Sequence, residues 1–259
     1  MSTPESHIST DIYQSLALIY DDVMSDIDYE LWSNFIDAII QNHNPDTYSI
    51  LELACGTGSF AISLDELDCY NITATDLSQE MIDVARKKAD YINATVDFKQ
   101  MDFTRITIDQ TYDVVLMLFD SINYLLSEKD IITVLQQIKP LLNRNGYFIF
   151  DFTTPSNSEK AEKLLNDKGL SHNNYQYIRK SKYDAIEGIH YNEFQIEKLD
   201  SNKNVAGEIY HEIHKQRVYT LAQMTRIVNQ SDFKLVAKYD TFDLIEADDN
   251  SDRITMVLQ

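Results

Sequence analysis

The chain has 259 residues and a formal net charge of −20, from 22 basic and 42 acidic side chains. This length suits one domain with an elaboration, and the acidic balance argues against a broad nucleic-acid-binding surface, which needs clustered lysine and arginine. No apolar run approaches the ~18 residues of a membrane span, and the first ten residues, MSTPESHIST, lack a secretory signal pattern. Two cysteines, Cys55 and Cys69, fit a reducing compartment, so we expect a cytoplasmic protein.

The N-terminal 44 residues are predicted to contain two helices. Residues 11–23 place apolar side chains close to helical spacing, and residues 28–42 do so more clearly. The sequence Asn44-Pro45-Asp46 then interrupts the helical pattern. These helices therefore precede the first strand of the main sheet.

A short strand followed by a glycine turn is predicted at residues 50–60, ILELACGTGSF. Ile50, Leu51 and Leu53 form the apolar run of a buried strand. Gly56 and Gly58 allow a tight turn and a close approach of the backbone to a ligand. Apolar residues then recur at helical spacing, so a helix is expected to begin at about Gly58, with free N–H groups at its N-terminus. This order opens a nucleotide-binding α/β unit.

The glycine turn alone fits two cofactor classes. Gly56, Gly58 and Ala61 match the GxGxx(G/A) spacing of dinucleotide enzymes. Asp76 ends a second predicted strand 18 residues after Gly58, where a carboxylate accepts hydrogen bonds from a ribose diol in either class. Glu52 lies inside the apolar strand, a costly place for a carboxylate without partners.

The segment from Glu52 to Gly58 resembles the first motif of class I S-adenosylmethionine (SAM)-dependent methyltransferases, (D/E)-x-(G/A)-x-G-x-G. Ala54 replaces the commoner first glycine. Asp76-Leu77-Ser78 followed by Met81 resembles the second motif, and Asp102 follows the third predicted strand, where the family binds the adenine amine. The resemblance implies SAM as cofactor, with these binding residues: Tyr13, Glu52, Ala54, Cys55, Gly56, Gly58, Asp76, Leu77, Met81, Asp102, Phe103 and Phe119.

A fourth predicted strand, residues 112–118, ends in the sequence FDSINYL. Ligands of open α/β sheets lie beyond the carboxyl ends of the strands. In the resembled family this segment lies beside the methyl group and the acceptor. Its amino-acid sequence is typical of small-molecule methyltransferases. It differs from the (D/N)PP(Y/F) motif of enzymes that methylate adenine, cytosine or glutamine amides.

The remaining pattern completes a doubly wound sheet. A helix at 131–142 and a strand at 147–152 continue the β-α alternation, which predicts a parallel α/β sheet. With final strands at 233–241 and 254–258, the resemblance implies a Rossmann-like, mostly parallel seven-stranded sheet of order 3-2-1-4-5-7-6, flanked by helices. Residues 1–154 and 219–259 would form this core, and residues 1–44 would cover the site, with Tyr13, Tyr20 and Tyr29 as candidates for its wall.

Residues 155–218 are predicted to be an inserted antiparallel β cap that contributes to the substrate region. A helix at 156–170 precedes three strands, at 175–183, 187–199 and 204–218. The layer is similar to the cap of sugar-amine and glycine-type N-methyltransferases. Alternation along the last strand places His211 with two isoleucines, on the face expected to cover the protein, and His214 on the opposite face.

Methyl transfer from a sulfonium needs an acceptor atom held in line and shielded from water. A nearby base can remove the acceptor's proton, and aromatic faces stabilise the sulfonium charge. The predicted catalytic residues are Tyr20, Asp120, Tyr124 and His211. No HxxxH or Cys/His cluster is present, so no metal site is expected.

We therefore predict a methyltransferase that moves a methyl group from SAM to a nitrogen or oxygen nucleophile of a small molecule, leaving S-adenosylhomocysteine (SAH). An NAD(P)-dependent oxidoreductase and a catalytically silent SAM-binding protein are the alternatives, and a tRNA-modifying methyltransferase is disfavoured by the charge. We expect no nucleic-acid or membrane partner, and a monomer or homodimer.

Overall fold

The structure is a computed structural model that describes residues 6–9, by their backbone alone, and residues 12–259. In chain order the elements are β1 (Ser6–Ser9), α1 (Tyr20–Val23), α2 (Tyr29–His43), β2 (Ser49–Leu53), α3 (Ser59–Asp65), β3 (Asn71–Asp76), α4 (Gln79–Ile92), β4 (Asp97–Gln100), β5 (Tyr112–Met117), α5 (Glu128–Ile138), β6 (Leu142–Thr153), α6 (Pro155–Leu164), β7 (Asp167–Leu170), β8 (Tyr175–Asp184), β9 (Ile189–Leu199), β10 (Val205–Arg217), α7 (Leu221–Val228), β11 (Leu235–Asp240) and β12 (Arg253–Leu258). Short 3₁₀ helices lie at Leu16–Leu18, Ser121–Tyr124 and Lys139–Leu141.

The main sheet has seven strands in the order β11-β12-β6-β5-β2-β3-β4. Strand β12 runs antiparallel to both of its neighbours, and the other pairs are parallel. The central strands β2 and β5 are largely buried on both faces because helices cover both sides of the sheet. One apolar cluster lies under α2, α3 and α4, and the other under α5 and α7. The predicted sheet and its order 3-2-1-4-5-7-6 are confirmed.

A second sheet, of order β1-β10-β9-β8-β7, packs over the carboxyl ends of the main-sheet strands. Strands β7 to β10 are antiparallel, which confirms the predicted antiparallel layer. Strand β1 joins its edge parallel to β10 and was not predicted. Residues 167–170 form β7 rather than the end of the helix expected at 156–170.

The helix predicted over residues 11–23 is wrong for most of its length, and its first residue lies outside the described residues. Only a 3₁₀ turn and the four-residue α1 form there. Tyr13 has a left-handed backbone, with φ of 67°. The N–H groups of Tyr13, Ser15 and Leu16 donate hydrogen bonds to the Glu212 carboxylate in β10. These backbone groups therefore bind the second sheet instead of forming the hydrogen bonds of a helix.

In residues 6–9 and 12–259, no helix combines the length and the apolar character that crossing a membrane would require.

Candidate active site

Two adjoining cavities lie at the carboxyl ends of the main-sheet strands. The first, of about 310 Å³, is lined by the turn after β2, the ends of β3 and β5, and the N-terminal segment. The second, of about 390 Å³, lies between the main sheet and the second sheet. Tyr13, Tyr20, Phe119 and Tyr124 line both cavities. These four aromatic side chains therefore form the boundary between the two cavities.

The glycine turn forms one wall of the first cavity. Ala54, Gly56 and Gly58 all have left-handed backbones, with φ of 58°, 55° and 73°. Gly58 is the N-cap of α3, so the helix begins where the sequence predicted. The Gly56 N–H donates to Asp76 Oδ2 over 2.9 Å, which ties the turn to the end of β3. The turn is thus fixed with its backbone against the cavity.

Carboxylates stand at two places on the first cavity wall. Asp76 also accepts the Ser78 N–H at 2.9 Å, and burial raises the pKa of Asp76 although these N–H groups oppose the rise. Asp102 accepts the N–H and the hydroxyl of Thr104, each at 2.7 Å. Phe103 adds an apolar surface to the same lining. These groups fit a ligand with hydroxyl or amine donors on a flat ring system, as in an adenosyl group.

Glu52 is buried behind the turn rather than on the cavity lining. Its Oε2 has no hydrogen-bond partner among the described residues. Burial, helped by the nearby Asp76 charge, raises the pKa of Glu52 to about 8. A buried carboxyl group with an unpartnered oxygen is costly to the fold.

Asp120 lies on the wall of the second cavity in an ion-pair cluster. Phe119 and Asp120 are consecutive left-handed residues, a strain typical of functional sites. Asp120 Oδ1 pairs with Arg253 at 2.7 Å, and Oδ2 accepts from Gln216 at 2.5 Å. Arg253 also pairs with the fully buried Asp151. Both oxygens of Asp120, one of the predicted catalytic residues, are therefore engaged, which suits a polar wall better than a base.

The predicted orientation of His211 is wrong. In the second half of β10 the buried side chains are Glu212, His214 and Gln216, whereas Ile213 is exposed. His211 lines neither cavity, and His214 lines the second. The polar face turns inward because Glu212 is stabilised there by donors from the N-terminal segment. Of the two histidines in β10, His214 is therefore the one that faces the second cavity.

Comparison with known proteins agrees with this geometry. Residues 50–146 match the family described as "Methyltransferase domain". The methyltransferase-family protein YqeM of Bacillus subtilis (strain 168) is 30% identical over 229 residues, covering 86% of this chain and 87% of YqeM. The chain belongs to the class I SAM-dependent methyltransferase family.

Solved structures share the fold of this methyltransferase over nearly its whole length. A SAM-dependent methyltransferase from Clostridium acetobutylicum ATCC 824 superposes with a TM-score of 0.77 at 23% identity, covering 95% of this chain and 98% of that one. The sugar N-methyltransferase KedS8 from Streptoalloteichus sp. ATCC 53650 gives a TM-score of 0.74 at 14% identity, covering 99% and 98%. At these identities the likeness establishes the shared architecture.

Most of the predicted cofactor residues of the methyltransferase come together at the first cavity. Gly58 and Met81 do not line it: Gly58 packs behind the turn, and Met81 is fully buried in the first turn of α4. Burial raises the pKa of the Cys55 thiol, so Cys55 acts as a small neutral side chain. The predicted residues on the lining are Tyr13, Ala54, Cys55, Gly56, Asp76, Leu77, Asp102, Phe103 and Phe119.

Of the predicted catalytic residues, Tyr20, Asp120 and Tyr124 line the second cavity. Glu212, Asp151 and Arg253 were not predicted from the sequence. Alternation along β10 could have suggested Glu212 as a companion of His214, but no local signal marks Arg253 at the start of the last strand. Its partners lie more than a hundred residues away in sequence.

Glu52 is expected to make the stability of the methyltransferase depend on pH. Its folded-state pKa of about 8 lies above the ~4.3 of an unfolded glutamate. The folded state therefore pays no cost for Glu52 ionisation below the unfolded value, and stability is lost as the pH rises from there through about 8. Glu52→Gln should gain stability relative to the wild type between about pH 5 and 8, at up to ~1.4 kcal/mol per unit of pKa difference. Urea denaturation at both pH values measures this, and a difference independent of pH would contradict it.

Proposed function

We propose that this methyltransferase transfers a methyl group from SAM, bound in the first cavity, to a nitrogen or oxygen nucleophile of a small molecule bound in the second. The observation that carries the proposal is the shared boundary of Tyr13, Tyr20, Phe119 and Tyr124. Direct transfer requires donor and acceptor in adjoining compartments with their reacting atoms in line. A wall common to both cavities meets that requirement.

The first cavity has groups suited to each part of the cofactor. Asp76 would accept the ribose hydroxyls, and Asp102 with Phe103 would hold the adenine ring. SAM supplies a methyl group activated by a positively charged sulfur. The rings of Tyr13 and Tyr20, 6.0 Å apart between centroids, offer faces that stabilise such a charge.

The charges around the second cavity favour a neutral or cationic acceptor. Both arginines of its lining have carboxylate partners: Arg179 binds Asp167 through two contacts of 2.9 and 2.6 Å, and Arg253 binds Asp120 and Asp151. An anionic acceptor would find no uncompensated cation among these residues. A small amine or alcohol matches this wall better than a carboxylate does.

Two buried polar atoms of the second cavity indicate that the acceptor carries further polar groups. Ser158 Oγ and Asn192 Oδ1 have no hydrogen-bond partner among the described residues, and both residues line the cavity. A buried polar atom without a partner costs about 1–3 kcal/mol, which a ligand hydroxyl or amine would recover. The sugar N-methyltransferase KedS8, which shares the fold, acts on an acceptor with such groups, as its name states.

Thermal unfolding with SAM, SAH and NADH tests the cofactor assignment. SAM and SAH should raise the unfolding midpoint, by ~2.7 kcal/mol of stabilisation at 100 times the dissociation constant, and NADH should not. Asp76→Ala should lose the shift because it removes the diol acceptor. Asp97→Ala, an exposed aspartate at the start of β4, is the matched control and should keep it. A shift with NADH alone would move the assignment to an oxidoreductase.

A methyl-transfer screen tests the acceptor class. The protein is incubated with SAM labelled on its methyl group and with panels of small amines, alcohols and carboxylates. We expect labelled product from a polyhydroxylated amine or an alcohol, and none from carboxylates. SAM binding without transfer to any panel member would favour a silent SAM-binding protein.

A further inference from the structure

A continuous line of hydrogen bonds runs from the aromatic boundary to a buried carboxylate. The Tyr13 and Tyr124 hydroxyls are 2.5 Å apart, and Tyr124 Oη lies 3.1 Å from His214 Nδ1. His214 Nε2 lies 3.2 Å from Glu212 Oε2. Tyr13 and Tyr124 line both cavities, and His214 lines the second. The line therefore begins where the transferred methyl group and the acceptor would meet.

The hydrogen-bond partners of Glu212 determine which atoms donate and which accept along this line. Its carboxylate accepts the N–H groups of Tyr13 at 2.7 Å, Ser15 at 2.7 Å and Leu16 at 2.9 Å. Burial opposes ionisation, but hydrogen bonds from His214, Ser15, Leu16 and Tyr13 together hold the pKa of Glu212 below its usual value. An ionised carboxylate only accepts hydrogen bonds, so the proton of neutral His214 lies on Nε2. Nδ1 is then free to accept the Tyr124 O–H.

The two tyrosines are suited to pass a proton rather than to hold a negative charge. Burial, more than any neighbouring group, raises the pKa values of Tyr13 and Tyr124 well above their usual range. Both phenols therefore stay protonated at neutral pH. A phenol between an acceptor and an imidazole can give its own proton to the imidazole as it takes one from the acceptor.

We propose that His214 is the base of the reaction, that it receives the acceptor's proton through Tyr124, and that Glu212 is the positioning residue that fixes its tautomer. This inference rests on the proposed function. As the acceptor's lone pair forms the bond to the methyl carbon, the carbon–sulfur bond breaks and its electron pair stays on sulfur. The acceptor's proton passes to Tyr124 Oη, and the Tyr124 proton passes to His214 Nδ1. The imidazolium formed is stabilised by Glu212 and later releases its proton to solvent.

Other titratable groups around the second cavity are engaged elsewhere. Asp120 is bound by Arg253 and Gln216. His190 Nε2 bonds with Ser181 Oγ at 2.6 Å, and burial lowers the pKa of His190. The groups packed directly on His214 are Glu212, the rings of Tyr13 and Tyr124, and Phe194 from β9. His214 is thus the histidine of this lining that is linked to the boundary tyrosines.

Nitrogen NMR of histidine-labelled protein tests the line without any turnover. In the wild type we expect His214 to carry its proton on Nε2, with Nδ1 shifted by the Tyr124 hydrogen bond. Tyr124→Phe should move the Nδ1 resonance and leave the signals of His43 and His190 in place. A proton on Nδ1 in the wild type, or an Nδ1 signal unaffected by Tyr124→Phe, would overturn the proposal.

The pH dependence of turnover tests the role in catalysis, with the acceptor found in the screen. His214→Gln and Tyr124→Phe should lower kcat by roughly 10²–10⁴-fold and remove the acidic limb of the kcat profile. His214 lies outside the first cavity, so His214→Gln should also leave SAH binding unchanged. His211→Gln, on the same strand but outside both cavities, should keep the wild-type profile. Full kcat in His214→Gln would refute the assignment of His214 as the base. A wild-type protein that neither binds SAM nor turns over would instead refute the proposed function, and the NMR result would be unaffected.

Discussion

Replacing Arg253 with methionine is expected to lower the free energy of unfolding by roughly 3–5 kcal/mol at neutral pH. The guanidinium contacts Asp120 at 2.7 Å and also binds Asp151, which is fully buried. Although burial opposes its charge, these two carboxylates raise the pKa of Arg253. Methionine has a similar length but leaves both carboxylates without a counter-charge. Urea denaturation at 25 °C measures the loss.

The size of this loss should depend on pH in a defined direction. Burial raises the pKa of Asp151 to about 6 even though Arg253 opposes the rise. Because the folded-state pKa exceeds the ~3.9 of an unfolded aspartate, stability is lost as the pH rises through about 6. Without Arg253 the pKa of Asp151 rises further, so Arg253→Met should lose less stability at pH 5 than at pH 8.

Two further variants separate ion pairing from general damage. Adding Asp151→Asn to Arg253→Met removes the more buried of the two carboxylates and should recover most of the lost stability. Lys160→Met breaks the exposed pair with Asp252, the residue just before Arg253 in sequence, and should cost no more than about 1 kcal/mol. If Arg253→Met were no more damaging than Lys160→Met at pH 8, the buried cluster would not stabilise the fold.

The first cavity of the methyltransferase could be predicted because its signals are local. The turn from Ala54 to Gly58 needs left-handed backbone at positions where two of the three residues are glycine. Asp76 ends a strand, and Ser78 caps the next helix by accepting the Met81 N–H. Each feature occupies a few consecutive residues, so its pattern can be recognised in the sequence. The β-α alternation predicts the parallel part of the main sheet.

The second cavity could not be predicted because its contacts join distant segments. Glu212 binds the Tyr13 N–H, 199 residues away in sequence. The two faces of β10 each carry a histidine, and the exposed Ile213 made the outer face look like the buried one. Strand β1 pairs with β10 across some two hundred residues. Alternation defines two faces but does not state which one covers the site.

Gly58→Ala is expected to lower the free energy of unfolding and to weaken SAH binding. A Cβ at residue 58 would lie 2.6 Å from the Phe98 ring and 2.9 Å from the Cβ of Ala85. Both neighbours are buried, and the Cβ of Ala85 cannot move away because it is attached directly to the backbone of α4. Overpacking of this kind costs roughly 1–3 kcal/mol, and the left-handed φ of 73° adds on the order of 1–3 kcal/mol. Relief of the clash would displace the turn that lines the first cavity.

Gly207→Ala provides the control because it separates these two contributions. Gly207 also has a positive φ, of 92°, but among the described residues nothing lies within 4 Å of an added Cβ. This variant should show the backbone cost alone and keep wild-type SAH binding, since Gly207 is in β10 and lines neither cavity. Denaturation of both variants with and without SAH makes the comparison. If Gly58→Ala lost no more stability than Gly207→Ala and bound SAH normally, the close packing behind the turn would not be what holds the turn against the first cavity.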